Sequence, residues 1–409
     1  CEECVVSGVK GVLARILLAI AAFTVTLGLF EVGFRVAGYQ PIYEVYSKPS
    51  ILWRHDAQLG WSHEPDSVAN YRGPRPWPVE FENEIRINSK GLRGVEPGAR
   101  GEDAFRILFL GDSVVAGFEV AEHETFSVRV ESQLNEALSI PVEVINAGVR
   151  GYGTDQSYLY YKLRGRELKP DLVVLHHTAN DLRNNMTLHR IRRPFGKSAF
   201  SVEADGTLAE HGTPVPRYPL CSAVKMDSRF RVQTIDTPTS RLACKLEMNL
   251  SDRSALFTYV TQILQRSPEV LRWLYGLGTT TREVASRGLG AFSAGVAHAS
   301  DASDASDAEA KLTVALVQGL RDEVERDGAT FLFWITPKSR ETLEPGGFSE
   351  SGVESIVAVL EMNRRWAFPI QFENDSHWNA YGHKVIGDEL AKMLAGYVDT
   401  SRGRASEVE

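Results

Sequence analysis

The sequence predicts an α/β fold, a parallel β-sheet covered by helices on both faces. Three observations carry this. From Phe105 onward, short apolar runs rich in β-formers recur. Amphipathic helical runs alternate with them, which is the pattern of a sheet buried on both sides. Several of the apolar runs end in glycine, aspartate, asparagine or histidine, where a doubly wound sheet places its ligands.

The predicted strands are Arg106–Leu110, Val142–Asn146, Asp171–His176, Thr330–Ile335 and Pro369–Phe372. The predicted helices cover about 125–139, 155–168, 308–327, 352–365 and 379–397. In the last, Ala380, Val385, Ile386, Leu390, Met393 and Leu394 share one apolar face, and Asn379 is a candidate N-cap. Residues 183–307 interrupt the alternation as an insertion after the third strand, with a helical piece expected around 253–275. The run SDASDASDA at 300–308 lacks the glycine turn and bidentate glutamate of a calcium loop, and reads as a flexible acidic linker. Residues 39–104, rich in Pro, Gly, Trp and charge, read as an irregular lead-in, and 400–409 as a disordered tail.

The first forty residues have a different character. Ile16–Phe30 carries no charge, and the apolar stretch extends from about Val12 to Ala37. That is long enough to span a bilayer with its end charges snorkelling. Lys10 and Arg15 precede it, a weak positive-inside signal diluted by Glu2 and Glu3. The reading is a cytoplasmic segment 1–11, a single-pass transmembrane anchor 12–38, and the remainder outside the cytoplasm. A cleaved signal and a buried core helix are the alternatives. Cys221 and Cys244 would then sit in an oxidising compartment and could form a disulfide.

Composition excludes several classes. The 409 residues are 43% hydrophobic and 24% charged, ordinary globular proportions. The net charge of −8 gives no basic field for nucleic acid. Four cysteines make neither a disulfide scaffold nor a zinc spacing.

Four segments could carry chemistry. ILFLGDSVVAG at 107–117 ends a strand in Gly111-Asp112-Ser113, exposing a hydroxyl and a backbone N–H. It is neither a phosphate loop nor a G-x-S-x-G elbow. VINAGVRGYGTDQ at 144–156 places Gly148, Gly151 and Gly153 in a short loop that could offer a backbone N–H to an oxyanion. Taken alone, it reads rather as a Gly-rich strand-to-helix turn. KPDLVVLHHTANDLRNN at 169–185 offers the Asn180 amide; His176 and His177 have no third ligand at metal spacing and read as packed residues. FENDSHWNAYGHKVIGDEL at 372–390 brings Asp375 beside His377, a base with a carboxylate able to fix its tautomer. Together these make the inventory of a serine esterase site.

With these residues in place, the chain resembles the SGNH (GDSL-type) hydrolase superfamily. Its four blocks match Ser113, Gly151, Asn180 and Asp375/His377 over about 105–398, most of the insertion excepted. The lead-in INSKGLRG at 87–94 is similar to that of membrane-anchored bacterial members. The resemblance implies a three-layer, flavodoxin-like SGNH hydrolase fold. It implies Ser113 as nucleophile, His377 as base, Asp375 as its orienting carboxylate, and Ser113, Gly151 and Asn180 as the oxyanion hole. Neither cofactor nor metal is implied. Expected partners are an acylated small molecule or glycan and the inner or plasma membrane. Two departures stand: Thr178 occupies the place of the family glycine, and the last block is D-x-H rather than D-x-x-H. The D-S-H-W form is similar to proteins of alginate O-acetylation. This leaves an O-acetyltransferase beside the esterase, and a non-catalytic glycan-binding protein as the reading of another class. A flavodoxin-like nucleotide or flavin binder would share the sheet but leaves the Asp/His pair unexplained.

Overall fold

The computed structural model describes residues 2–39, 41, 53–73, 78–98, 101, 104–186, 195–218, 221, 224–226, 232–234, 237–266, 299–357 and 368–405. The chain divides into two compact units, one formed by 1–48 with 236–279 and the other by 49–235 with 280–409.

The larger unit is built on five parallel strands, β1 (Phe105–Gly111), β2 (Val142–Gly148), β3 (Leu172–His176), β4 (Thr330–Ile335) and β5 (Ser355–Val357). Their order is β2-β1-β3-β4-β5, the doubly wound order with its switch point between β1 and β3. Alternation along each strand creates the layers. Ile107, Phe109, Leu172, Val174, Leu332 and Trp334 point to one face and join the core with α2 (Phe126–Ala137) and α7 (Ala380–Ala405). Leu108, Leu110, Val173, Leu175, Phe331 and Phe333 are buried on the other. There α3 (Thr154–Leu163) packs against α6 (Ala299–Arg326).

Register levels the carboxyl ends. Gly111 pairs with Gly148, Leu110 with Leu175, and His176 with Trp334, so the loops after β1, β2 and β3 leave the sheet at one height.

Four predicted strands stand where expected, and the fifth does not. Among the described residues, Pro369–Phe372 makes only one bridge, Gln371 to Trp378. The edge strand is Ser355–Val357, inside the predicted helix 352–365; the rest of that helix, 358–365, lies outside the described residues. The lead-in is not irregular: Trp53–Asp56 pairs with Gly60–His63 and Val68–Gly73 with Phe81–Arg86 as antiparallel hairpins. The acidic repeat is not a linker but the first turns of α6. Alanine at every third position favours helix. The final helix runs on to Ala405, through most of the expected tail.

The smaller unit holds α1 (Glu2–Val36), α4 (Pro238–Leu250) and α5 (Ala255–Arg266). Thr237 caps α4, with Pro238 in its first turn. The carboxylate of Glu31, near the end of α1, accepts from Ser254 Oγ at 2.7 Å, Ala255 N at 2.9 Å and Leu256 N at 3.0 Å, capping α5. Cys221 and Cys244 are both disulfide-bonded.

Candidate active site

Gly111 ends β1 with φ +154°, and a Cβ there would lie 2.6 Å from Val115 Cγ2. Glycine is therefore required for the chain to turn straight from strand into the short helix Ser113–Ala116. Asp112 caps that helix by accepting from Val114 N at 2.9 Å. Its other oxygen accepts from Thr178 Oγ1 at 3.1 Å and Asn180 Nδ2 at 3.2 Å. The buried Asp112 thus ties the Ser113 turn to the loop after β3. Asp181 is a local brace, accepting from Thr178 N at 3.2 Å in a capping box.

Ser113 begins the short helix, and its Oγ lies 2.8 Å from His377 Nε2. His377 Nδ1 faces Asp375 Oδ1 in a short hydrogen bond, and the same oxygen accepts from His377 N at 2.9 Å. The two-residue spacing works because this tight turn lets one carboxylate hold both backbone and ring. Burial raises the Asp375 carboxyl, but hydrogen bonds from His377 and the charge of Arg150 outweigh it and hold it below its ordinary value.

The loop carrying this pair is closed by Phe372 N to His377 O at 3.3 Å and Asn379 N to Ile370 O at 3.0 Å. Glu80 of the lead-in accepts from Glu373 N at 2.8 Å and Asn374 N at 3.0 Å. Gly151, at φ +89°, is buried in the loop after β2. Trp61 fixes that loop, donating Nε1 to Arg150 O at 3.2 Å and accepting Tyr152 Oη at 2.6 Å. The loops after β1, β2 and β3 and the loop before α7 thus contribute every residue that the sequence singled out for this site.

A hydroxyl hydrogen-bonded to an imidazole, itself held by a carboxylate, is an activated nucleophile. The GDSL-like Lipase/Acylhydrolase family matches residues 109–331, more than half of the chain. The chain belongs to the GDSL-like lipase/acylhydrolase family. It is accordingly a hydrolase. No curated protein sequence matches it. Among solved structures it is similar to an acetyl xylan esterase, AlAXEase, at 11% identity and a TM-score of 0.34, covering 71% of this chain and 99% of that one. It is also similar to the lipase/acylhydrolase from Enterococcus faecalis, at 12% identity and a TM-score of 0.32, covering 71% and 96% respectively.

Sequence reasoning missed three supports in this GDSL-like hydrolase. Glu119, 1% exposed, places Oε1 3.4 Å from His377 Nδ1, so two carboxylates face the imidazole. Arg150, buried too, pairs with Glu119 in a short ion pair. Arg93, from the INSKGLRG lead-in, is buried and donates to Ala116 O at 2.9 Å, Gly117 O, and Val120 O at 2.7 Å. It satisfies the carbonyls at the end of the Ser113 helix. Glu119, Asp375 and His377 bring ligand-type atoms within 4.8 Å of one another. Glu119 already pairs with Arg150, and Asp375 is already hydrogen-bonded to His377 Nδ1.

His176 and His177 are buried beside this site. Among the described residues their ring nitrogens have no hydrogen-bond partner. They pack on Trp334 and Phe333, at ring separations of 4.2 and 5.6 Å. Trp378, beside the base, is 3% exposed and packs on Phe126, Trp334 and His383.

Proposed function

We propose that the protein is a serine esterase acting through an acyl-enzyme, anchored with its catalytic unit outside the cytoplasm. The observation that carries the mechanism is the chain of contacts Ser113 Oγ to His377 Nε2 at 2.8 Å, with Nδ1 on Asp375. As Oγ attacks the ester carbonyl, its proton passes to Nε2. The imidazolium is stabilised by Asp375 and by Glu119. The Ser113 and Gly151 backbone N–H groups and the Asn180 amide hold the oxyanion. Collapse breaks the ester C–O bond, and the leaving alcohol takes the proton from Nε2. Water, deprotonated by the same nitrogen, then releases the acid and frees Ser113. Asp112 occupies one N–H of Asn180 and so aims the amide.

Two observations support the anchor and the compartment. Gly11–Val36 is a 26-residue apolar helix with none of it buried, and at about 1.5 Å per residue it exceeds a bilayer core of about 30 Å. The disulfide-bonded Cys221 and Cys244 suit an oxidising side. The substrate class assigned is an ester-linked acyl group, acetyl above all, on an extracytoplasmic carbohydrate. That assignment rests on the family resemblance and on this topology.

The test is p-nitrophenyl acetate hydrolysis by the full chain in detergent, with Ser113→Ala and His377→Ala compared. Loss of activity in both variants, each still folded by circular dichroism, is expected. Equal rates in all three proteins would overturn the assignment.

A further inference from the structure

The smaller unit carries its polarity inverted. Along α4 and the start of α5, Ser240, Glu247, Ser251, Thr258 and Thr261 are buried. Leu242, Leu246 and Leu250 are 56%, 45% and 38% exposed. These leucines recur every four residues and form one stripe on α4, with Lys245 and Arg241, both exposed, along its flank. A soluble helix shows the opposite pattern, with apolar residues inward.

The position of this stripe names its partner. Only Ser251 to Ser254 separate α4 from α5, and α5 starts on the last turns of α1. Glu31 of α1 caps α5, Arg35 Nη2 donates to Arg253 O at 3.1 Å, and Phe34, Tyr39 and Tyr259 form a ring cluster 4.5–5.5 Å apart. Glu31 and Arg35 also pair with each other at 2.7 Å. The two charges at the end of the apolar helix are therefore consumed in seating α5. Tyrosines at the end of a spanning helix mark the headgroup level. The exposed leucine stripe is tethered through α5 to that level, at the end of the apolar helix α1, none of which is buried.

We infer that α4 lies in the membrane interface as an amphipathic helix, its Leu242–Leu246–Leu250 stripe in the acyl boundary and Arg241 and Lys245 at the headgroups. This rests on the reading of α1 as a membrane span. Its partner is a phospholipid bilayer rather than a second protein.

The experiment reconstitutes the full chain in phosphatidylcholine vesicles containing a phospholipid with a diazirine in its acyl chain. After illumination, labelled peptides are mapped by mass spectrometry. The expected result is label on 238–250 as well as on 11–36. The combined variant Leu242→Glu, Leu246→Glu, Leu250→Glu should lose label on 238–250 by more than about tenfold, because three carboxylates keep the face in water, while keeping label on 11–36. Label on 11–36 alone in the parent protein would overturn the inference and leave the span intact. Protein–protein crosslinks at Lys245 with an amine-reactive bifunctional reagent, in place of lipid label on 238–250, would overturn it in favour of a second copy. Absence of label from both segments would overturn the span and this inference together.

Discussion

Lowering the pH should destabilise this protein through its buried histidines. His176, His177 and His383 are 2%, 0% and 2% exposed. Burial drives their pKa values down, to about 4, about 3 and about 3. All three are therefore neutral in the folded protein at pH 5.5. In the unfolded chain they titrate near 6.5. The folded pKa is depressed for a base, so the unfolded state binds more protons below 6.5. Stability is then fully present above that value and falls as the pH drops toward the folded pKa. At pH 5.5 each histidine costs about 1.4 kcal/mol relative to pH 7.5, and the three together about 4 kcal/mol. That is a large part of the stability of an ordinary domain. Asp155, Glu210 and Glu309, whose carboxyls burial pushes up, act in the opposite sense. A variant comparison isolates the histidine contribution. His177→Leu keeps the volume and removes one titrating group, so its loss between pH 7.5 and 5.5 should be about 1.4 kcal/mol smaller than the parent's. Urea unfolding of the full chain in detergent, followed by near-ultraviolet circular dichroism, measures both. Equal losses for parent and variant would refute the reasoning.

Three further outcomes follow from the site. Glu119→Gln removes one of two carboxylates facing His377, so the acid limb of the pH–rate profile should move down by about one unit; an unmoved limb would dismiss Glu119 as an electrostatic partner. The same change leaves Arg150 buried without its carboxylate and should cost about 3–5 kcal/mol, read by urea unfolding. Asn180→Ala should lower kcat by about 10²–10³ with the melting temperature little changed, as loss of one oxyanion donor does. Gly111→Ala forces a Cβ to 2.6 Å from Val115 Cγ2 and should destabilise by about 1–3 kcal/mol in thermal melts.

Four of the five sheet strands were legible because buried parallel strands are continuous apolar runs, as in RILFL and TFLFWI. The fifth was not. Ser355–Val357 is three residues at a sheet edge, too short to register against the helical pattern around it. The acidic repeat misled because its aspartates suggest a solvated linker, whereas its alanines extend α6. Ser113, Asp375 and His377 were legible because each sits in a short block of recognisable chemistry. Asp375 did not need three-residue spacing, since its turn bonds both His377 N and Nδ1. Glu119 and Arg150 had no such signal. Their meaning comes from contacts 31 residues apart with each other, and across the fold with His377. Arg93 was visible only as part of the INSKGLRG resemblance. Its work on the Ser113 helix is a tertiary contact that no local pattern encodes.

The central claim is that His377 activates Ser113 as the nucleophile. A fluorophosphonate reports this directly, because it reacts with an activated serine and leaves a stable adduct. The account predicts one adduct per chain, on the peptide containing Ser113, and its loss in His377→Ala at the same reagent concentration. An adduct elsewhere, or one on Ser113 formed at the same rate without His377, would contradict it.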